Sequence, residues 1–179
     1  MRGLFVGRFQ PFHRGHLELA RAVRAGPRSP ELLIAIGSAE QAYTWENPFT
    51  AGERFEMIAR ALAEAELDGV RVVPVPDISR HALWVRYLEG LLPPFDLVYS
   101  HNPLTQLLFE RAGYRVRAPP LVRRARYEGV RIRARLARGA DVAALVPPAV
   151  AAYLEEIEAA ERLRRLGPPA SRGRPRRGR

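Results

Sequence analysis

The feature that most constrains the fold of this chain is the alternation of short apolar runs with longer amphipathic segments. Several short runs consist of continuous Leu, Ile and Val, as in strands that are buried on both faces of a sheet. This alternation is typical of a parallel sheet with crossover helices. It predicts strands at residues 3–7, 31–37, 70–75, 96–100 and 114–117. It predicts helices at residues 15–24, 51–66, 83–91, 104–111, 130–137 and 148–166.

We therefore expect an α/β fold, a Rossmann-like doubly wound parallel sheet with a C-terminal helix. The 179 residues are 47% apolar, which is enough for one domain with a core of its own. After residue 166 the composition changes to Pro, Gly, Ser and Arg. The sequence thus predicts a domain over residues 1–166 and a disordered, flexible tail over residues 167–179.

The residue composition excludes several kinds of chemistry. The chain has no cysteine, so thiolate metal sites and cysteine nucleophiles are excluded, and all 29 basic residues are arginine, so no P-loop lysine exists. Five arginines fall in the last eight residues, and a solvated tail explains them better than nucleic-acid binding. Charges interrupt every apolar run, so we expect a cytoplasmic protein with no membrane or nucleic-acid partner.

The segment GRFQPFHRGH, residues 7–16, follows the first predicted strand, where open α/β sheets bind ligands. Gly7 allows a ligand to approach the backbone, and Arg8 offers a fork of donors to phosphate oxygens. His13 and His16 are three residues apart at a helix start, so both can face one side. Gly15 leaves room between them, and the helix N-terminus favours negative charge. The segment predicts a phosphate site.

Two other interpretations of the histidine pair are open. Both residues can be ordinary capping or surface residues, or they can bind a metal. No third or fourth ligand follows at a zinc-like spacing, so we expect no protein metal site. The GxGxxG dinucleotide motif does not follow the first strand either.

The sequence also resembles a known family. HRGH matches the HxGH signature of the nucleotidyltransferase superfamily, and the wider match is to archaeal nicotinamide mononucleotide adenylyltransferases. Five blocks occur in that family's order: MRGLFVGRFQPFHRGHLE, IGSAEQAYTWENPFTAGER, DISRHALWV, PPFDLVYSHNPL and ALVPPAV.

The resemblance implies that the 5′-phosphate of nicotinamide mononucleotide (NMN) attacks the α-phosphorus of ATP, giving NAD and pyrophosphate. It implies Mg²⁺ that is carried by ATP, and relatives commonly form homo-oligomers. It assigns catalytic roles to Arg8, His13, His16 and Arg133. The implied ATP-binding residues are Gly7, Arg8, Phe9, His13, His16, Asn102, Gly129, Ile132 and Arg133.

The resemblance likewise implies an acceptor site. Trp84 matches the tryptophan that stacks on the nicotinamide ring, although flanking apolar residues leave a core role open. Asp77 matches a residue near the same substrate. Ser38, just past a strand end, is a plausible polar contact, and His81 stands where some relatives have asparagine.

The family's second phosphate motif is altered. Its Ser-Gly-Thr-x-x-Arg pattern corresponds to residues 128–133, where Arg133 is kept but Glu128 and Val130 replace the two hydroxyl residues. Glu128 would repel a triphosphate unless it turns outward or pairs with Arg126 or Arg131. Three hypotheses follow: an active NMN adenylyltransferase, a nucleotidyltransferase with another phosphorylated acceptor, or a catalytically weak nucleotide-binding descendant.

Overall fold

The protein is described here by a computed structural model, which covers residues 1–26, 31–118 and 127–168. Its five strands are β1 (Arg2–Gly7), β2 (Glu31–Ile36), β3 (Val70–Pro74), β4 (Leu97–Tyr99) and β5 (Arg115–Arg117). The helices of these ranges are α1 (Arg14–Arg24), α2 (Ala51–Glu64), α3 (His81–Leu91), α4 (Pro103–Arg111), α5 (Gly129–Ala137), α6 (Pro148–Glu156) and α7 (Ala159–Leu166).

The strands form one parallel sheet in the order β3-β2-β1-β4-β5. Neighbouring residues along a strand point to opposite faces, so each face has its own core. Phe5 and Ile34, which pair across β1 and β2, belong to the core that α1, α2, α5, α6 and α7 cover. Leu4 and Leu33, the preceding pair, belong to the core under α3 and α4. Helices on both faces confirm the predicted doubly wound α/β fold.

The prediction of a single last helix over residues 148–166 is wrong. The structure has two helices, α6 and α7, and Glu158 between them takes a left-handed conformation at φ 51°. The helix α6 packs on α2, whereas α7 packs on α5, so the chain has to change direction between them. The intervening sequence has a high helix propensity, which tertiary packing overrides.

The strand order places a switch point beside β1. That strand pairs with β2 on one side and with β4, much later in the chain, on the other. The loops after β1 and β4 therefore separate at this edge, where open α/β sheets form ligand crevices.

Two further predictions concern the rest of the chain. Within the described ranges no helix is long and apolar enough to cross a membrane. The predicted tail falls almost entirely outside the described residues, which end at residue 168.

Candidate active site

His13 and His16 cap the first helix reciprocally. His13 is the N-cap of α1, and its Nδ1 accepts the backbone N–H of His16 at 3.3 Å. The Nδ1 of His16 in turn accepts the backbone N–H of His13 at 3.2 Å. The two imidazole rings stack with centroids 3.4 Å apart and planes 14° apart. This is a capping box in which two imidazoles take the parts usually played by Ser and Glu.

The capping geometry selects the tautomer of both rings. A neutral imidazole that accepts at Nδ1 carries its proton on Nε2. Burial lowers the pKa of His13 to about 4. The pKa of His16 lies well below its usual value because of burial first and of its neighbour His13 second. Near neutral pH both rings are therefore neutral, and both present an Nε2–H donor.

Aromatic rings hold the histidine pair in place. Phe5, Phe9 and Phe12 surround the His16 ring, with centroids 5.9, 4.9 and 5.3 Å away. Phe9 is only 2% exposed, so its ring supports His16 from the core. A Cβ at Gly7 would lie 2.8 Å from the Phe9 ring, so that glycine makes room for Phe9.

The histidines face a cavity of about 220 Å³, here called the nucleotide cleft. Tyr127 stacks beside His13 at 6.2 Å and 18°. A Cβ at Gly15 would lie 3.2 Å from the Tyr127 Cβ and 3.3 Å from the His13 Nδ1, a tight fit that favours glycine between these side chains. The cleft is lined by Phe5, Val6, Gly7, His13, Gly15, His16, Leu19, Ser100, His101, Asn102, Tyr127 and Glu128.

The start of α5 closes one side of the nucleotide cleft. Gly129 is its first residue, and a Cβ there would lie 3.0 Å from the Gln10 carbonyl oxygen and 3.2 Å from Nη1 of Arg133. Arg133 is buried, and its Nη1 donates to that same carbonyl at 2.7 Å. The Ile132 side chain is fully buried and its N–H donates to Glu128, so the structure keeps Ile132 out of the cleft.

A second cavity of about 300 Å³, the acceptor cleft, lies on the other side of the β1 terminus. All four residues expected at the acceptor line it: Ser38, Asp77, His81 and Trp84. The Trp84 ring packs edge-on against Phe109 at 5.6 Å and is partly exposed to the cleft. The two clefts share Val6, Gly7 and Asn102, so they are adjacent.

Asn102 and Asp77 both stabilise loops at the acceptor cleft. The Oδ1 of Asn102 caps α4 by accepting the Thr105 N–H at 3.0 Å, which leaves its amide NH₂ for a ligand. The Oδ1 of Asp77 accepts the Ser79 N–H at 3.0 Å, and the Asp77 N–H donates to Glu40 at 2.9 Å.

Three guanidinium groups make the site positive. Burial lowers the pKa of both Arg54 and Arg133, and the charge of Arg8, which is exposed at the acceptor cleft, lowers both further. The pKa of Arg54 falls to about 10, so the group stays charged at neutral pH. Among the described residues, none of the three forms an ion pair with a carboxylate.

Arg54, in the first turn of α2, is a site residue that the sequence did not single out. Its side chain is fully buried and donates to the carbonyl oxygens of Arg8, Gly37 and Ser38 at 3.0, 2.8 and 3.0 Å. It thereby joins the loop after β1, which carries Arg8, to the loop after β2, which carries Ser38. Thr50 and Glu53 form a capping box that starts the same helix.

Gln10 and Tyr127 were also missed. The Gln10 side chain bonds both the N–H and the carbonyl of Phe49, each at 3.0 Å, and its own carbonyl binds Arg133. The signal in the sequence was a polar residue, Gln10, between the apolar residues Phe9 and Pro11, which is consistent with a buried side chain that binds backbone groups. Tyr127 directly precedes the altered phosphate motif, but its position beside Gly15 depends on long-range packing.

No cluster of three or more His, Asp or Glu side chains that could hold a metal ion occurs within the described ranges.

The fold and the paired clefts define a nucleotidyltransferase-type site, and comparison with known proteins agrees. Residues 4–135 match the family model described as Cytidylyltransferase-like. A nicotinamide-nucleotide adenylyltransferase of Halorubrum lacusprofundi is 42% identical over 173 residues, which are 97% of each chain. Its counterpart in Methanothrix thermoacetophila is 45% identical over 92% of this chain and 95% of the relative.

Solved structures share the fold. A bifunctional NMN adenylyltransferase/ADP ribose pyrophosphatase of Francisella tularensis superposes with a TM-score of 0.74 at 19% identity, over 92% of this chain and 52% of that one. This chain thus corresponds to about half of that bifunctional protein. A second structure of it, with AMP and a manganese ion bound, gives a TM-score of 0.67.

This chain belongs to the Cytidylyltransferase-like family and, within it, to the nicotinamide-nucleotide adenylyltransferases. The resemblance inferred from the five sequence blocks is confirmed.

Proposed function

We propose that this protein transfers the adenylyl group of ATP to nicotinamide mononucleotide, giving NAD and pyrophosphate. This is the activity that the names of its near full-length relatives state. The observation that carries the proposal is the pair of adjacent clefts on either side of the β1 terminus, with the stacked histidines in one and Trp84 in the other.

The paired clefts suit a direct transfer between two bound nucleotides. With ATP in the nucleotide cleft and NMN in the acceptor cleft, the NMN phosphate lies near the shared residues Gly7 and Asn102. One of its oxygens attacks the α-phosphorus, and the bond to the bridging oxygen of pyrophosphate breaks. Phosphoryl chemistry of this kind needs mainly alignment and neutralisation of charge.

His13 and His16 supply neutral donors to the phosphates in this proposal. Their Nδ1 atoms are occupied by capping bonds, so only Nε2–H is available. A donor that is already oriented stabilises the negative charge of the transition state without reorganising. Arg8 and Arg133 add positive charge, since both guanidinium groups lie beside the loop that holds the histidines.

The acceptor contacts follow the lining of the acceptor cleft. Trp84 offers its indole face to the cationic nicotinamide ring, a cation–π contact worth roughly 0.5–2 kcal/mol. Asp77, Ser38 and His81 surround the same space and provide polar atoms for the carboxamide and ribose.

In this proposal Mg²⁺ reaches the site bound to ATP, as part of the substrate MgATP. The ion prefers phosphate oxygens and water to a protein cage. The homo-oligomer and the cytoplasmic location remain predictions, which size-exclusion chromatography with light scattering and cell fractionation test.

The proposal is tested by incubating the purified protein with MgATP and NMN and measuring NAD and pyrophosphate together. Equal amounts of both products support it. Nicotinate mononucleotide and other phosphorylated acceptors are run in parallel, and product from one of these alone would show a different acceptor. ATP binding without product from any acceptor would show a catalytically weak nucleotide-binding protein. The absence of the two hydroxyls at positions 128 and 130 favours that outcome.

A further inference from the structure

Glu128 and Arg131 form an ion pair at the lip of the nucleotide cleft. The Nε of Arg131 lies 2.8 Å from Oε2 of Glu128, and Glu128 lines the cleft. The two side chains are 64% and 46% exposed, for Arg131 and Glu128 respectively. An ion pair this exposed is weak, because water screens it and both side chains lose freedom. Arg131 can therefore leave Glu128 for a stronger acceptor with little loss of free energy.

The end of α5 that faces the cleft presents backbone donors. Glu128 is the N-cap, yet its side chain makes no capping bond to the helix. The first intrahelical bond joins the Ile132 N–H to the Glu128 carbonyl, so the N–H groups of the first turn are directed out of the helix. Behind them, Arg133 is 5% exposed and its Nε lacks a hydrogen-bonding partner among the described residues.

This turn lacks the two hydroxyl donors of the family's pattern and carries a guanidinium at Arg131. Val130 is 61% exposed and offers no donor, and the carboxylate of Glu128 repels phosphate. Arg131 stands in the same turn, and its side chain is 64% exposed. Arg126, the other partner considered for Glu128, lies outside the described residues.

We propose that Arg131 is a triphosphate ligand in this protein. In the free protein it forms an ion pair with Glu128, and it binds the phosphates instead when the nucleotide enters the cleft. A guanidinium makes two parallel bonds to phosphate oxygens, and these are stronger than an exposed bond to one carboxylate oxygen. Arg131 thus replaces the two missing hydroxyls. The inference rests on the proposed function only in that the cleft takes a nucleoside triphosphate.

The test is calorimetric titration of the full-length protein with MgATP, without acceptor. We expect Arg131→Ala to raise Kd about tenfold, the effect of losing one charged hydrogen-bonded contact. Arg138→Ala is the matched control, since Arg138 is an exposed arginine at the far end of the same helix, and its Kd should equal that of the wild type. Glu128→Gln should lower Kd about threefold, because it removes both the competitor and the repulsion.

Three results would overturn the inference. The first is an Arg131→Ala Kd equal to the wild type. The second is an equal rise in Arg138→Ala, which would reflect net charge alone. The third is a rise in Glu128→Gln, which would make Glu128 a ligand in its own right. If the wild type forms no NAD but the Arg131 effect appears, the proposed function fails while the inference stands.

Discussion

His13 and His16 each accept the other's backbone N–H at Nδ1, at 3.3 and 3.2 Å, with their rings stacked 3.4 Å apart. The same two bonds start helix α1 and select the tautomer that presents Nε2–H to the nucleotide cleft. Capping and phosphate binding are usually treated as alternative roles for such residues. Here the cap produces the donors, because each ring has one nitrogen for each task.

The histidine pair makes stability depend on pH. An unfolded histidine has a pKa near 6.5, whereas burial lowers the pKa of His13 in the folded state to about 4. Between these values the unfolded chain binds a proton that the folded chain does not. The contribution of His13 is therefore present above pH 6.5 and is lost as the pH falls towards 4.

The variant His13→Asn isolates the pH-dependent contribution of His13 to stability, since asparagine caps a helix without titrating between pH 4 and 7. Urea unfolding at pH 7 and pH 5 should show the wild type losing about 2 kcal/mol more than the variant. Equal losses in the two proteins would mean that His13 is protonated as readily in the folded state as in the unfolded one.

Replacing Arg54 should loosen both loops of the site. In Arg54→Met the buried carbonyls of Arg8, Gly37 and Ser38 lose their donor. We expect a loss of roughly 3–5 kcal/mol in the free energy of unfolding by urea, because each unsatisfied buried group is costly. Arg60→Met on the same helix is the control. Its side chain is 36% exposed, so a much smaller loss is expected, because water screens exposed ion pairs. Similar losses in both variants would refute the role of Arg54.

Trp84 should affect the acceptor and not ATP. Trp84→Ala should raise the KM for NMN by roughly threefold to thirtyfold, the range of a lost cation–π contact, with the KM for ATP unchanged. Trp84→Phe keeps a ring beside Phe109, so its KM for NMN should lie between those of the wild type and of Trp84→Ala. Leu83→Ala changes the exposed neighbouring residue and should leave both constants alone. A rise in the KM for ATP equal to that for NMN would show that Trp84 is only a core residue.

Much of the fold and of the cleft lining follows from local sequence. Continuous apolar strands alternating with amphipathic helices predicted the doubly wound sheet, and the segment after β1 pointed to the position of the histidines. What the sequence could not give depends on contacts between distant segments. The break at Glu158 arises because α6 and α7 pack on different helices. The burial of Arg54 depends on carbonyls from two loops, and Ile132 is buried in the core where α5 packs on α7.

The reaction proposed for this protein is adenylyl transfer across the two adjacent clefts, with His16 donating to the phosphates. The most direct measurement is the rate of NAD formation from MgATP and NMN, for the wild type and for His16→Ala, with circular dichroism and thermal melting as controls for the fold. We predict turnover on the order of one per second or faster for the wild type, and loss of turnover in a folded variant. No NAD from the wild type, or an unchanged rate in His16→Ala, would contradict the account.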